Sequence, residues 1–95
     1  MYVRIARGRF NPGTESDVQR IVEEQMIPKM QALPGFQRYI GGVSRSTGML
    51  TGVSLWDSEE HANFSRDVLM GAVPALQGIG VTLEPAEIYE ALVDV

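Results

Sequence analysis

The sequence predicts a two-layer α+β fold with the element order strand, helix, strand, strand, helix, strand. Three observations support this prediction. Residues 2–10 alternate with the period of two that is typical of a strand, and residues 14–33 repeat apolar side chains at helical spacing. Two further strand patterns, 36–45 and 49–56, flank the turn residues 46–48 and so predict a hairpin. At 95 residues, we expect one domain over 1–95.

The first strand separates its side chains into two sets. Val3, Ile5 and Arg7 share one face, which we expect the helices to cover. The opposite face carries Tyr2, Arg4 and Ala6. On this assignment Tyr2 and Ala6 belong to an uncovered sheet face.

Each helical region has an expected irregularity. Pro28 lies inside the apolar pattern of the first helix, where it removes a backbone donor, and predicts a kink. Asp57 or Ser58 is placed to cap the second helix, which we expect to end or bend before Pro74. The pair Gly41-Gly42 predicts a bulge or a close approach in the second strand. Residues 86–93 are the predicted last strand.

The element order determines a topology. Right-handed crossovers place both helices on one face of a four-stranded antiparallel sheet, which is the ferredoxin-like arrangement. The second sheet face is then an apolar surface without a cover in a monomer. A small domain gains burial by self-association, so we predict a homodimer whose sheets pack face to face.

Composition excludes several classes of function. The formal charge is -4, from 8 basic and 12 acidic residues, which argues against binding to nucleic acid or to anionic membranes. No cysteine is present and His61 is the one histidine, so no metal site is expected. No segment approaches the roughly 20 apolar residues that span a bilayer. We expect a cytoplasmic protein.

The residues carry a resemblance to a known family. The relevant segments are Leu33-Pro34-Gly35-Phe36, Thr47-Gly48, Val53-Ser54-Leu55-Trp56-Asp57-Ser58-Glu59-Glu60 and Glu87-Ile88-Tyr89-Glu90. With this pattern, the chain resembles the antibiotic biosynthesis monooxygenase-like family of dimeric α+β barrels along nearly its whole length. These motifs describe the fold and contain no catalytic signature.

The resemblance implies several possible activities. The family includes enzymes that oxidise aromatic polyketides with dioxygen and no prosthetic group, haem-degrading enzymes, and small proteins without an assigned activity. In the haem-degrading members the iron-binding histidine lies further from the tryptophan than His61 lies from Trp56, and this sequence has Arg66 in that region. Haem is therefore discounted, and no cofactor is expected.

His61 is the candidate catalytic residue. It lies three residues before Phe64 on one predicted helical stripe, which directs it towards the sheet. The positive end of the helix disfavours imidazolium, so His61 is predicted to be neutral and able to accept a phenolic proton. The alternative is a histidine in the core or at its rim, without a catalytic role.

Aromatic residues are the candidate pocket residues. Trp56, at the junction of the third strand and second helix, either lines a pocket or packs as a core anchor. Phe36, Tyr39 and Phe64 share the same two alternatives. Arg7 either orients an anionic or phenolate oxygen at the pocket mouth or ends the strand in solvent.

Arg4 is predicted to form a structural ion pair. An unpaired cation in an apolar setting is costly, so it requires a carboxylate. Because the last strand neighbours the first in this topology, Glu87 or Glu90 is the predicted partner.

Two functions follow from these observations. One is a cofactor-independent monooxygenase that acts on a small aromatic or phenolic compound: His61 favours the phenolate, which reacts with dioxygen, while Trp56 and Phe64 exclude water. The other is a dimer of the same fold that binds a small ligand or serves a structural role without catalysis.

Overall fold

The computed structural model describes all residues from 1 to 95 and has helices on one side of an antiparallel sheet. The strands are β1 (Tyr2–Arg9), β2 (Phe36–Ser44), β3 (Met49–Trp56), β4 (Thr82–Leu83) and β5 (Glu87–Glu90). The helices are α1 (Glu15–Ile21), α2 (Ile27–Gln31), α3 (Glu59–Ala62) and α4 (Ala72–Gly78), with a π-helical turn at Val22–Met26 and a 3₁₀ turn at Arg66–Leu69. The predicted α+β class is confirmed.

The sheet has the order β2-β3-β1, and both β4 and β5 pair with the free side of β1. All pairings are antiparallel. The last strand, predicted over 86–93, is therefore wrong in its bounds: β4 and β5 follow one another along β1. Between them lies Pro85, which has no backbone N–H to donate to a sheet ladder.

The first helical region is irregular where the sequence predicts it. The π-helical turn ends at Met26, and the backbone N–H of Ile27 donates to the Val22 carbonyl. Pro28 then lies in the first turn of α2, where its missing N–H is tolerated. The irregularity therefore separates α1 from α2 without ending the helical region.

The second helical region differs from its prediction. Helix α3 ends at Ala62, and α4 contains Pro74, which was expected to end the helix. Pro74 is the third residue of α4, and the first turn of a helix tolerates proline because its N–H groups have no intrahelical partner. Residues 75–78, which follow the expected end or bend, are therefore helical.

The helices cover the sheet face that carries Tyr2, which is opposite to the predicted face. Tyr2 packs against a buried cluster of Met30, Trp56 and Ala62. Helices α1 and α4 contribute buried residues to a second cluster, which also contains Phe10 and Val81. The assignment of Val3, Ile5 and Arg7 to the covered face is wrong, and Tyr2 and Ala6 do not belong to the uncovered face.

The other sheet face, which we call the open face, has no covering layer in one chain. It carries the alternate residues of the four strands β2, β3, β1 and β5. Its members include Val3, Ile5, Arg7, Arg38, Ile40, Val53, Leu55, Glu87 and Tyr89. Ile40 is 54% exposed and Tyr89 is 49% exposed, so large apolar groups reach solvent there. No helix of the protein is long and apolar enough to cross a membrane.

Candidate functional site

Trp56 is the centre of an aromatic cluster under the helices. Its side chain is completely buried, and its Nε1–H donates to Ser54 Oγ at 2.8 Å. The Phe36 ring meets it edge-on with centroids 5.4 Å apart, and the Phe64 ring lies 5.1 Å away at an interplanar angle of 45°. Such pairs add stability beyond their buried area. Of the two alternatives for Trp56, this geometry favours the core anchor.

Arg4 projects from β1 into the same layer. Its Nη1 donates to the Ala62 carbonyl oxygen at 2.9 Å, and its Cζ lies 4.2 Å from the centre of the Phe64 ring. Burial, and secondarily the charge of Arg66, lowers the pKa of the Arg4 guanidinium. A backbone carbonyl oxygen and the face of an aromatic ring therefore bind this cation.

The ion pair predicted for Arg4 is wrong. Neither Glu87 nor Glu90 forms a salt bridge with it. In the β1–β5 register Arg4 lies opposite Ile88, and Glu87 lies opposite Ile5 on the open face. Because side chains alternate along a strand, a carboxylate paired with Ile5 points away from the layer that contains Arg4.

Arg4 borders a cleft of about 410 Å³, which we call the Arg4 cleft. It lies between β1 and the end of the sheet on one side and the second helical region on the other. Its walls include Ala6, Phe64, Leu69, Val73, Leu83 and Ile88. Its charged residues are Arg4, Arg66 and Glu84. A largely apolar cleft of this size with a few polar groups is typical of a small-molecule site.

Arg7 lies on the open face and not at a cleft under the helices. Its Nη1 donates to Glu87 Oε1, and the hydroxyl of Tyr89 donates to Glu87 Oε2. The hydrogen bond from Tyr89, followed by the charge of Arg7, lowers the pKa of the Glu87 carboxyl. The same hydrogen bond raises the pKa of Tyr89. These three side chains form a compensated polar group, which we call the Arg7 triad.

His61 lies in the first turn of the second helical region, beside the turn that precedes β2. Ser58 caps α3 by accepting from the His61 backbone N–H at 3.1 Å, which confirms one of the two predicted caps. His61 Nδ1 is 2.6 Å from Asp57 Oδ1, and this contact is the first cause that lowers the pKa of the Asp57 carboxyl. A Cβ on Gly35 would lie 2.5 Å from His61 Nδ1, so the two segments are in close contact.

His61 does not border the Arg4 cleft, and its side chain is 33% exposed. The predicted stripe assumed one continuous helix, whereas α3 ends one residue after His61. The relation of His61 to Phe64 is therefore not that of two residues on one helix. The structure assigns His61 a contact with Asp57 and none with the candidate pocket.

A second cleft, of about 740 Å³, lies between the first helical region and β2; we call it the Tyr39 cleft. Phe36 and Tyr39 border it, together with Val18, Val22, Ile27 and Leu50. The Tyr39 ring packs over Gly41 and Gly52: a Cβ on Gly52 would lie 2.4 Å from the Tyr39 hydroxyl. This is the close approach predicted at Gly41. Burial raises the pKa of Tyr39.

The structure therefore divides the residues predicted for one pocket. Phe64 borders the Arg4 cleft, Phe36 and Tyr39 border the Tyr39 cleft, and Trp56 fills the core and borders neither cleft. Arg66 and Glu84 are cleft residues that no sequence pattern indicated. The available signal was an arginine, Arg4, among apolar residues on β1; the break in the second helix that brings Arg66 to it has no local signature.

No group of three or more His, Asp or Glu side chains is arranged to hold a metal ion. Arg4 and Arg66 are the cations of the Arg4 cleft, and both are donors only. The chemistry available there is the binding and orientation of an acceptor or an anion within apolar walls.

Comparison with known proteins gives a consistent result for the fold. No family model and no curated protein matches the chain. Among solved structures, SnoaB, a cofactor-independent oxygenase from Streptomyces nogalater, matches with a TM-score of 0.75 at 13% identity, covering 99% of this chain and 95% of SnoaB. An antibiotic biosynthesis monooxygenase matches with a TM-score of 0.65 at 17% identity, covering 98% and 100% of the two chains.

A variant of MhuD with two manganese protoporphyrin IX molecules bound per active site also matches. Its TM-score is 0.72 at 15% identity, with 100% of this chain and 98% of that chain covered. Agreement over whole chains at this level shows a common architecture and leaves chemistry open. The chain has the fold of the antibiotic biosynthesis monooxygenase-like proteins, as the resemblance in its sequence predicts.

Proposed function

We propose that this protein is a monooxygenase-like enzyme that oxidises a small aromatic or phenolic compound in the Arg4 cleft, without a prosthetic group. The observation that carries the proposal is the cleft itself: about 410 Å³ with apolar walls and a half-buried guanidinium, in the fold that SnoaB uses for cofactor-independent oxygenation. Haem is not part of the proposal, because the one histidine of the chain does not border this cleft.

The proposed reaction converts a phenol with a free para position and dioxygen into a quinone and water. One oxygen atom bonds to the ring carbon, the other leaves as water with two hydrogens from the substrate, and the ring supplies the electrons. Positive charge at the cleft favours the phenolate, which is the electron-rich form. Apolar walls exclude water from the reacting ring.

We also propose that the protein is a cytoplasmic homodimer that buries the open face. Val3, Ile5, Val53 and Leu55 are half-buried in one chain and adjoin the exposed Ile40. The Arg7 triad on the same face is already hydrogen-bonded, so its burial leaves no isolated charge. An identical sheet packed on this face would bury these apolar residues.

Oxygen consumption tests the proposed activity. Wild-type protein with a panel of naphthols should consume dioxygen and form a quinone, and Val73→Trp, which fills the Arg4 cleft, should reduce the rate at least tenfold. Val22→Trp is the matched control, because Val22 is also half-buried but borders the Tyr39 cleft. No consumption by the wild type, or equal rates in both variants, would contradict the proposal.

The catalytic role of His61 stays a prediction within this proposal. Loss of oxygen consumption in His61→Ala, with the fold intact by circular dichroism, would support it. An unchanged rate would remove His61 from the mechanism and agree with its position outside the Arg4 cleft.

The second candidate function is ligand binding without catalysis. It is favoured because neither His61 nor the completely buried Trp56 borders the cleft. The one carboxylate at the cleft is that of Glu84. Binding of a naphthol at the Arg4 cleft without oxygen consumption would support this function over the enzyme.

A further inference from the structure

Arg4 is held rigidly but keeps most of its hydrogen-bonding capacity. A guanidinium has five N–H donors, and the one side-chain hydrogen bond of Arg4 goes to the Ala62 carbonyl oxygen. The Phe64 ring lies against the group at 4.2 Å and fixes its position. Donors remain available at the wall of the Arg4 cleft, with little conformational entropy left to lose on binding.

The charge of Arg4 has no compensating partner. Arg4 and Arg66 are absent from all salt bridges of the protein, and Glu84, which also borders the cleft, lies beyond salt-bridge distance of both. Two arginines and one glutamate leave the cleft with a formal charge of +1. The chain as a whole carries -4, so this cleft is a local positive region in an acidic protein.

The contrast with Arg7 shows that the protein has carboxylates available on the neighbouring strand. Arg7 pairs with Glu87 of β5, whereas the residue that β5 places opposite Arg4 is the apolar Ile88. Arg4, the half-buried arginine, is therefore the one of the two without a salt bridge. Burying a charge in this way costs free energy unless a ligand supplies the anion.

We propose that the ligand of the Arg4 cleft is a flat aromatic carboxylate, whose carboxylate is bound by Arg4 and Arg66 and whose ring occupies the apolar walls. This inference rests on the proposed function and narrows its substrate class to hydroxyaromatic acids. Guanidinium groups match the planar geometry of a carboxylate and bind it through parallel hydrogen bonds.

A carboxylate fits the charge of the cleft better than a phenol does. A phenol with a pKa near that of tyrosine, about 10, is neutral at pH 7, whereas a carboxylic acid is ionised above about pH 5. A neutral phenol leaves the two arginines uncompensated on binding, and a carboxylate neutralises the resting charge of +1.

Calorimetric titration with 2-naphthoate and with 2-naphthamide tests this inference, because the two probes differ in charge and hardly in shape. We expect wild-type protein at pH 7 and low salt to bind 2-naphthoate at least tenfold more tightly. Arg66→Gln should remove most of this preference. Arg45→Gln, an equal change of charge at the Tyr39 cleft, should retain it.

Arg66 is exposed, so Arg66→Gln should fold even if the corresponding change at Arg4 does not. Equal binding of the two probes, no binding of either, or a preference that survives Arg66→Gln would overturn the inference. A protein that consumes oxygen with naphthols but shows no preference for 2-naphthoate loses only the carboxylate site. One that keeps the preference without consuming oxygen keeps the site and loses the oxygenase.

Discussion

Arg4 and Arg7 of β1 lie on opposite faces of the sheet and have opposite surroundings. On the open face, Arg7 meets Glu87, which also accepts from Tyr89, and the surrounding residues are apolar and partly exposed. On the covered face, Arg4 meets a carbonyl oxygen and an aromatic ring and has no carboxylate. Three positions along one strand therefore separate a compensated cation from an uncompensated one.

This difference indicates which kind of partner or ligand suits each face. Burial of the paired Arg7 and Glu87 against a partner leaves neither of these two charges unpaired, whereas Arg38 on the same face forms no salt bridge. A cleft that keeps an unpaired, fixed guanidinium is suited to a small anion. Substitutions on the two faces can therefore separate a role in packing from a role in association.

Trp56→Ala should have the largest effect on stability. It removes a completely buried ring and leaves Ser54 without its hydrogen bond, so we expect unfolding free energy to fall by about 3–5 kcal/mol. Urea denaturation measures this loss. Ile40→Ala, on the open face, is the control and should cost less than about 1 kcal/mol. Similar losses in both variants would contradict the packed role of the covered face.

Leu55→Lys should disrupt self-association. Leu55 lies on the central strand pair of the open face, where a dimer would bury a lysine charge without a partner. We expect the dimer dissociation constant to rise at least about 100-fold, which corresponds to about 2.7 kcal/mol. Sedimentation equilibrium measures it. Gln77→Lys on α4 places the same charge elsewhere on the surface and should leave the dimer intact. A wild-type monomer would reject the proposed association.

Gly52→Ala should strain the contact between β3 and the Tyr39 ring. The added Cβ would lie 2.4 Å from the Tyr39 hydroxyl, so the ring has to move, and we expect a loss of about 1–3 kcal/mol in thermal or urea unfolding. Gly42→Ala is the matched control, because a Cβ there meets nothing within 4 Å. If both variants have wild-type stability, the Tyr39 cleft is more adaptable than its geometry indicates.

Asp57→Asn should have the smallest effect, and that effect should depend on pH. The contact with His61 lowers the folded-state pKa of Asp57 below its ordinary value of 3.8. Its stabilising contribution is therefore present above pH 3.8 and is lost as pH falls through the lower folded value. The stability difference between wild type and variant should shrink on acidification below pH 4. Asp94→Asn in the terminal segment is the control; a difference that grows in acid would contradict this linkage.

The sequence predicted the hairpin and the element order well, because both depend on local signals. The strand at 49–56 has its predicted bounds, and β2 differs by one residue. The sidedness of β1 was predicted wrongly because Val3 and Ile5 are at least as apolar as Tyr2 and Ala6. Alternation identifies two faces, but where both carry apolar residues it does not tell which one the helices cover.

The site was less predictable because it depends on long-range register and on a break in a helix. Strand adjacency alone predicts Glu87 or Glu90 as the partner of Arg4, whereas the register brings Ile88 opposite it. His61 was placed in the pocket by extending a helix that ends at Ala62. Tertiary contacts determine both outcomes, and no spacing of residues near Arg4 or His61 encodes them.

The interruption between β4 and β5 has a consequence for how this cleft can change. Glu84, Pro85 and Ala86 lie between β4 and β5, and all three border the Arg4 cleft; the Glu84 N–H still donates to the Arg7 carbonyl oxygen at 2.8 Å. Because Pro85 has no backbone N–H to donate, β4 and β5 cannot join into one uninterrupted ladder along β1. We expect substitutions on the cleft walls to change which ligand binds. Shortening the segment between β4 and β5 should instead change this edge of the cleft itself.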